Sequence, residues 1–168
     1  MKKLIIDQFE SPLGRIAAVV CEDHLLHLDF CDCRARMERL LTHRYTIFTL
    51  ISEKNPLNIR GALHAYFEKD WNSFDFISLL TNGTDFQQRV WKQLQQIPPG
   101  TTISYAQLAK AIKHPKAIRA VANANARNPI AIIIPCHRVI AKNGALAGYA
   151  GGTHRKSWLL EHEKGTID

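Results

Sequence analysis

The chain has few cysteines, no long apolar run and no apolar leader. Four cysteines in 168 residues, without a secretory leader, argue against a disulfide framework. No apolar run approaches the ~20 residues that cross a bilayer. Residues 1–7 carry charges too early for the apolar region of a signal peptide. The sequence therefore predicts a cytoplasmic protein that makes no contact with a membrane.

The composition is that of an ordinary globular protein with a basic excess. Apolar residues make up 46% and charged residues 22%, and the length suits one fair-sized core or two small domains. Twenty-two Lys and Arg against 15 Asp and Glu give a net charge of +7. This balance favours polyanionic partners such as nucleic acid.

The first half of the chain predicts a small sheet with helices. The predicted strands are residues 4–9, 15–21 and 25–30, and the predicted helices are residues 36–44 and a segment opened by Asn55-Pro56. The segment Ser11-Pro12-Leu13-Gly14 supplies turn chemistry between the first two strands. We expect residues 1–80 to form a domain built on an antiparallel sheet.

A group of cysteines and histidines in this half raises the alternative of a zinc site. Its members are Cys21, His24, His27, Cys31 and Cys33. Zinc takes four thiolate or imidazole ligands, but these spacings are not those of a Cys-x-x-Cys knuckle, and several positions fall on opposite faces of predicted strands. The sequence therefore favours incidental cysteines and surface histidines, and no metal is predicted.

The second half predicts a mainly helical domain over residues 81–168. Thr84 and Gln87 form a capping box before an amphipathic helix, and Pro98-Pro99-Gly100 ends it. Ser104 caps a second helix, and a third runs to about Arg127. Two short helices joined by a tight turn predict a helix-turn-helix. The fold class is α+β: an amino-terminal sheet with helices, then a helical domain with a helix-turn-helix and an active-site loop.

The third helix carries mostly small side chains. Its small and polar residues are Ala117, Ala120, Ala122, Asn123, Ala124, Asn125 and Ala126. Such a surface suits close helix packing, and it also suits a helix that lies against a nucleic-acid backbone with Arg119 as its long cationic side chain.

A thiol and an imidazole follow a short apolar run. Residues 130–134 are apolar and mostly β-branched, which predicts a buried strand. Pro135 has no amide donor and should bend the chain there. The bend lets Cys136 and His137 face one cavity, where a nearby imidazole activates a thiol as a nucleophile. The alternative is a buried structural cysteine beside a solvated His-Arg pair, and the dipeptide alone favours that alternative.

Several segments in one collinear order resemble the O6-alkylguanine-DNA alkyltransferases, also called methylated-DNA–protein-cysteine methyltransferases. The matching segments are Gly100–Ala109, Ala117–Val121, Ala126–Pro129, Ile134–Ile140 (IPCHRVI), Gly148–Gly152 and Trp158–Glu163 (WLLEHE). They cover roughly residues 85 to 165, and such an order is far more specific than any single motif.

The resemblance implies a catalytic set. Cys136 is the expected nucleophile that attacks the alkyl carbon on guanine O6. His137 takes the thiol proton through a bound water, and Glu163 holds the tautomer of His137. Asn128 braces the turn between the third helix and the cysteine. Glu161 is expected to be a solvated helix charge.

The resemblance also implies how the substrate is held. In the substrate pocket, the Tyr105 hydroxyl and the backbone amide of Ala150 donate to the leaving oxygen as negative charge develops on it. The Cys136 and Val139 carbonyls accept from the guanine amine. Tyr149 belongs to the loop that lines the pocket. On the DNA side, Arg119 replaces the extruded base, Ala120 and Asn123 lie on the helix in the minor groove, and Tyr105 helps rotate the nucleotide. Ala122 departs from the family, which usually has Gly there.

The implied activity is DNA repair by transfer of the alkyl group from O6-methylguanine, and from O4-methylthymine as a second substrate, to Cys136. The product is a thioether that water cannot attack, so each molecule reacts once and needs no cofactor. The expected partner is double-stranded DNA containing O6-alkylguanine, bound by a monomer. The alternatives are a lesion binder without transfer, a helix-turn-helix regulator and a cysteine hydrolase. The presence of Cys136 argues against a lesion binder. Glu163 and the Pro135–Arg138 segment would have no role in a helix-turn-helix regulator, and the DNA-binding residues argue against a cysteine hydrolase.

Overall fold

The computed structural model describes residues 1–146 and 148–165. By its internal contacts the chain divides into two compact units, Met1–Asn82 and Gly83–Asp168. The predicted α+β class is confirmed, because a small sheet with helices forms the first unit and mostly helices form the second.

The first unit is built on a four-stranded sheet. Its strands are β1 (Lys2–Phe9), β2 (Ile16–Cys21), β3 (His24–Phe30) and β4 (Phe48–Ser52), in the order β3-β2-β1-β4. The three strands predicted from the sequence pair antiparallel, with Ile6 opposite Val19 and Val19 opposite His27. The turn at Ser11 closes by mutual backbone hydrogen bonds with Gly14.

The fourth strand makes the sheet mixed, not purely antiparallel as expected. β4 pairs parallel to β1, with Leu4 opposite Leu50. Its five residues lie at the edge and are half-buried or exposed, and Phe48 and Leu50 pack against the apolar core of the unit.

Two helices cover this sheet. α1 (Arg34–Arg44) follows a 3-10 turn at Cys31–Cys33, and α2 (Ile59–Phe67) follows a 3-10 turn at Pro56–Asn58. An apolar cluster joins α1 to the strands through Leu4, Val19, Cys21, Leu26, Met37 and Leu41. Cys21 is therefore a core side chain. In the described residues, no group of three or more His, Cys, Asp or Glu side chains could hold a metal ion.

The second unit contains four helices and two short parallel strands among its described residues. They are α3 (Asp85–Leu94), β5 (Ile103–Ser104), α4 (Tyr105–Ala111), α5 (Ile118–Ala126), β6 (Val139–Ile140) and α6 (Thr153–Glu163). The predicted capping box of α3 is present, with Gln87 N donating to Thr84 Oγ1 and Thr84 N donating to Gln87 Oε1. Ser104 and Gln107 form the same arrangement at α4.

The strand predicted over residues 130–134 is wrong. Those residues form tight turns, with Ile133 N bonded to Ala131 O and Ile134 N to Ile130 O. Ile132 has a φ of 69°, a left-handed conformation that is rare for a β-branched residue. Ile130 makes a single β-bridge, Ile133 is half-buried, and Ala131, Ile132 and Ile134 are buried.

In the described part of the chain, no helix is both long enough and apolar enough to cross a membrane.

Candidate active site

Cys136 begins a buried 3-10 turn that runs to Arg138. Pro135 precedes the turn with φ −81° and ψ 63°, so the chain bends where the missing amide donor predicted a bend. The bend places three chemically active side chains in succession inside the protein: Cys136 is 7% exposed, His137 0% and Arg138 7%.

His137 and Arg138 both bind the carboxylate of Glu163. Nε2 of His137 lies 2.7 Å from Glu163 Oε1. Arg138 Nε donates to Oε2 at 2.9 Å, and its Nη2 donates to Oε1 at 2.8 Å. Arg138 also donates to the carbonyl of Ile97. The bidentate pair fixes the carboxylate, and the carboxylate in turn fixes the imidazole.

The charges of this cluster follow from burial and pairing. Burial alone would raise the pKa of Glu163, but His137 and Arg138 hold it well below its usual range. Burial lowers the pKa of His137, and the adjacent carboxylate only partly opposes it. The resting state is therefore a Glu163–Arg138 ion pair with a neutral His137.

The free nitrogen of His137 is oriented to receive a proton. Because Glu163 is anionic, Nε2 of the neutral ring carries the hydrogen, and Nδ1 keeps its lone pair. Nδ1 is buried and has no hydrogen-bond partner in the described residues. A buried nitrogen of this kind suits a general base.

Two asparagines hold the backbone around Cys136. Asn128 Nδ2 donates to Ile134 O at 2.7 Å, and its Oδ1 accepts from Ile130 N at 3.0 Å. Asn128 thus spans the turns before the cysteine. Asn125, on α5, donates from Nδ2 to the carbonyl of Cys136 itself at 3.4 Å.

Lys156 is a fully buried cation in the same cluster. Its exposure is 0%, and its Nζ donates to the carbonyl of Val139 at 2.6 Å. Burial lowers the pKa of the ammonium, and the nearby Cys136 opposes that shift. The ammonium therefore adds positive potential close to the sulfur, which favours the thiolate.

Tyr105 and the glycine loop form another side of the site. Tyr105 is half-buried at the start of α4, and burial and the proximity of Cys136 raise its pKa while Asn125 opposes the shift. The hydroxyl is therefore protonated at neutral pH and available as a donor. Gly148, with φ +86°, lies against it: a Cβ placed there would be 3.3 Å from the Tyr105 oxygen.

The rest of the loop is turn structure. Tyr149 is half-buried and accepts from Gly152 N at 3.0 Å through its carbonyl, and Ala150 is exposed. Arg155, at the start of α6, donates to the carbonyl of Gly151 at 3.2 Å and holds the loop to the helix.

Three of the four residues predicted on the DNA side share the exposed surface of α5, and the fourth, Tyr105, begins α4. Arg119, Ala120 and Asn123 are all exposed, while Val121 and Ala124 face the core. Trp91 of α3 donates to the Ala124 carbonyl at 2.8 Å, which fixes the buried face of the helix.

The structure thus brings Cys136, His137, Glu163, Asn128 and Val139 into one buried cluster, with Tyr105 electrostatically coupled to the sulfur. Sequence reasoning missed Asn125 and Lys156. Lys156 stands in the polar run Thr153-His154-Arg155-Lys156-Ser157, so nothing in the sequence sets it apart from a solvated helix lysine.

Comparison with known families gives two matches that together cover almost the whole chain. Residues 4–81 match the 6-O-methylguanine DNA methyltransferase, ribonuclease-like domain, and residues 85–165 match the 6-O-methylguanine DNA methyltransferase, DNA binding domain. The chain belongs to the 6-O-methylguanine DNA methyltransferase family.

Individual relatives match this chain along almost their whole length. The methylated-DNA–protein-cysteine methyltransferase of Salmonella typhimurium is 42% identical, over 97% of each chain. The protein of the same name from Methanosarcina mazei is 50% identical, over 94% of this chain and 96% of its own.

Solved structures share the fold. The Mycobacterium tuberculosis OGT in complex with DNA matches with a TM-score of 0.82 and 40% identity, covering 97% of this chain and 93% of that one. The O6-methylguanine methyltransferase of the same organism matches with a TM-score of 0.83 and 39% identity, covering 98% and 95%.

Proposed function

We propose that this protein is a methylated-DNA–protein-cysteine methyltransferase, which repairs DNA by moving the alkyl group of O6-alkylguanine to its own Cys136. The observation that carries the proposal is the buried His137–Glu163 hydrogen bond of 2.7 Å beside the thiol. A structural cysteine needs no oriented neutral base. The family relatives bear the name of the same reaction.

The transfer is a single displacement. Cys136 loses its thiol proton to Nδ1 of His137 through an intervening water, and the thiolate attacks the alkyl carbon. The sulfur–carbon bond forms as the carbon–O6 bond breaks. The bond electrons stay on the guanine, which then takes up a proton and leaves as unmodified guanine. Glu163 stabilises the imidazolium while it carries the proton.

Tyr105 and the carbonyls around Cys136 orient the base. The Tyr105 hydroxyl donates to the leaving oxygen, together with the backbone amide of Ala150, and Tyr149 forms part of the pocket wall. The Cys136 and Val139 carbonyls accept from the guanine amine. The Val139 carbonyl already accepts from Lys156, and the Cys136 carbonyl accepts from the Val139 backbone amide and, at 3.4 Å, from Asn125. The long Asn125 contact is the one that the guanine amine would replace at Cys136.

The base reaches this pocket by leaving the stack. The exposed surface of α5 lies in the minor groove of a duplex, Ala120 and Asn123 face the backbone, and Arg119 fills the space that the base vacates. The methyl group of Ala122, which is half-buried, weakens the approach only slightly. We further infer that the protein acts as a monomer, and that O4-methylthymine is a second substrate.

The test is intact-protein and peptide mass after reaction with a duplex that carries one O6-methylguanine. We expect one methyl group per chain, on the Cys136 peptide, with the oligonucleotide returned to guanine. Cys21, Cys31 and Cys33 serve as internal controls and stay unmodified. If the protein binds the duplex while Cys136 stays unmodified, it is a lesion binder and the proposed transfer is wrong.

A further inference from the structure

The basic excess of the chain lies entirely in its second unit. Residues 83–168 hold 12 of the 22 Lys and Arg but only 4 of the 15 Asp and Glu, a net charge of +8, whereas residues 1–82 carry −1. Arg119 and a few buried cations account for only part of this excess. The remaining charges point to a further anion-binding surface on the same unit.

A groove between α3 and the end of α4 collects exposed cations. It has a volume of about 440 Å³ and is lined by Arg89, Lys92, Gln93, Gln96, Ala111, Ile112 and Lys113. No Asp or Glu is among the described residues that line it. Its polar side chains are two amides and three cations, so it presents donors to any ligand with several acceptor oxygens.

The backbone at Lys113 is unusual for a lysine. Lys113 follows α4 with φ +64°, the left-handed conformation that closes a helix and that glycine adopts without strain. The closing bonds are present, from Lys113 N to Lys110 O and from His114 N to Ala109 O. A long cationic side chain at such a position disfavours the fold slightly, so a role in binding explains it better than a role in stability.

The Arg89 side chain, which lines the groove, is held by His114. Its Nη1 donates to Nε2 of His114 at 3.2 Å, and the His114 ring contacts Phe86 edge-on. Lys92 and Lys113 make no ion pair with any described residue. Within the part of the chain that the structure describes, these two lysines are therefore not neutralised by an ion pair.

We propose that the groove formed by Arg89, Lys92 and Lys113 binds a backbone phosphate of the same DNA duplex, beyond the base pair that carries the lesion. The inference rests on the proposed function, since it needs α5 to lie on DNA. Lys113 is only four residues from Ala117, the N-cap of α5, so a strand that passes the start of α5 continues past this end of the groove. A phosphodiester offers the acceptor oxygens that these donors need.

The test is the salt dependence of binding to a duplex with one O6-methylguanine, using full-length Lys113→Gly. We expect the slope of log affinity against log salt to fall by about 0.9, and the affinity near 0.15 M salt to fall about fivefold. The double variant Lys92→Gln/Lys113→Gly should lose about twice that slope. The midpoint of thermal unfolding should rise for Lys113→Gly, because glycine relieves the left-handed backbone.

Lys69→Gly is a matched control. Lys69 is exposed in the first unit, follows α2, and has φ +71°, so the change removes the same charge and relieves the same conformation. It should leave the salt slope unchanged. If Lys113→Gly alters the slope no more than Lys69→Gly does, the groove proposal is overturned. The groove proposal is also overturned if the two variants differ in salt slope only when a second duplex is bound.

The two proposals fail differently. If wild-type protein neither binds the methylated duplex nor transfers the methyl group, the proposed function fails. If wild-type protein does both and the two glycine variants behave alike, only the groove assignment fails. Transfer from a free O6-methylguanine nucleoside should be the same in wild type and Lys113→Gly, since a nucleoside has no flanking phosphate.

Discussion

The buried ammonium of Lys156 donates to the carbonyl oxygen of Val139 at 2.6 Å. This contact joins the last helix to the strand that follows the cysteine turn, and it occupies one lone pair of a carbonyl that we propose as a substrate acceptor. It therefore sets the direction of the second lone pair. The same ammonium lies close enough to Cys136 to interact electrostatically with the sulfur.

Replacing Lys156 should slow transfer without abolishing DNA binding. Lys156→Met keeps the length of the side chain and removes the donor and the charge. A hydrogen bond from a charged group contributes about 1.5–3 kcal/mol, so we expect the single-turnover rate to fall roughly 10- to 100-fold. Rapid-quench measurement on a methylated duplex, with affinity measured separately, checks this. An unchanged rate would show that Lys156 is purely structural.

A second prediction concerns the contact between Gly148 and the Tyr105 hydroxyl. Gly148→Ala adds a methyl group 3.3 Å from the phenolic oxygen and strains a backbone with φ +86°. Gly144 has φ +83° and nothing within 4 Å of an added Cβ, so Gly144→Ala supplies the strain without the contact. Each change should cost about 1 kcal/mol of stability. Only Gly148→Ala should slow methyl transfer. Equal transfer rates in the two variants would show that the contact between Gly148 and Tyr105 has no part in the reaction.

Glu163 is expected to be far more sensitive than its neighbour Glu161. Glu163→Gln leaves buried Arg138 without its counter-charge, which should cost about 3 kcal/mol of unfolding free energy. It also removes the charge that stabilises protonated His137, and we expect transfer to fall about 100-fold. Glu161 lies on the surface with an oxygen 3.7 Å from Lys164 Nζ, so Glu161→Gln is the control and should change neither quantity.

The ion pair between Glu163 and Arg138 makes the free energy of unfolding depend on pH. The pKa of Glu163 is lowered below its ordinary 4.5, so its contribution is complete above pH 4.5 and is lost as the pH falls further. Urea unfolding of Glu163→Gln should therefore be less sensitive to acid than that of wild type. An identical acid response in the two proteins would contradict the ion-pair assignment.

The sequence predicted the helices of the second unit well because their ends are locally encoded. Thr84 and Ser104 each cap a helix through a side chain three residues from its partner, and the structure has both caps. The bend at Pro135 follows from its missing amide donor, and the structure has it, whereas the roles of Cys136 and His137 are implied by the family resemblance. These are short-range relations that a linear pattern contains.

The errors arose where distant contacts override local preference. Residues 130–134 have strand propensity, but Asn128 bonds the backbone at both ends of the segment and coils it. Lys156 has no local signal, because its partner Val139 is 17 residues away. The edge strand β4 pairs with β1, which is distant in the chain, and this pairing makes the sheet mixed.

His27 gives the last prediction, in the first unit. Its ring is 1% exposed, and neither nitrogen has a hydrogen-bond partner in the described residues. Burial, with Arg36 adding to it, lowers the pKa of His27 from 6.5 to about 3. Asp29 lies 3.8 Å away but is bound to Arg36 at 2.6 Å, so it does not form an ion pair with the neutral ring.

Because the unfolded chain binds the extra proton, the stabilisation is complete above pH 6.5 and is lost as the pH falls toward 3, by about 1.4 kcal/mol per pH unit. The free energy of urea unfolding of His27→Leu should depend less steeply on pH across this range than that of wild type. His64→Leu, at an exposed position, is the control and should behave as wild type. Equal slopes in His27→Leu and wild type would contradict the assignment.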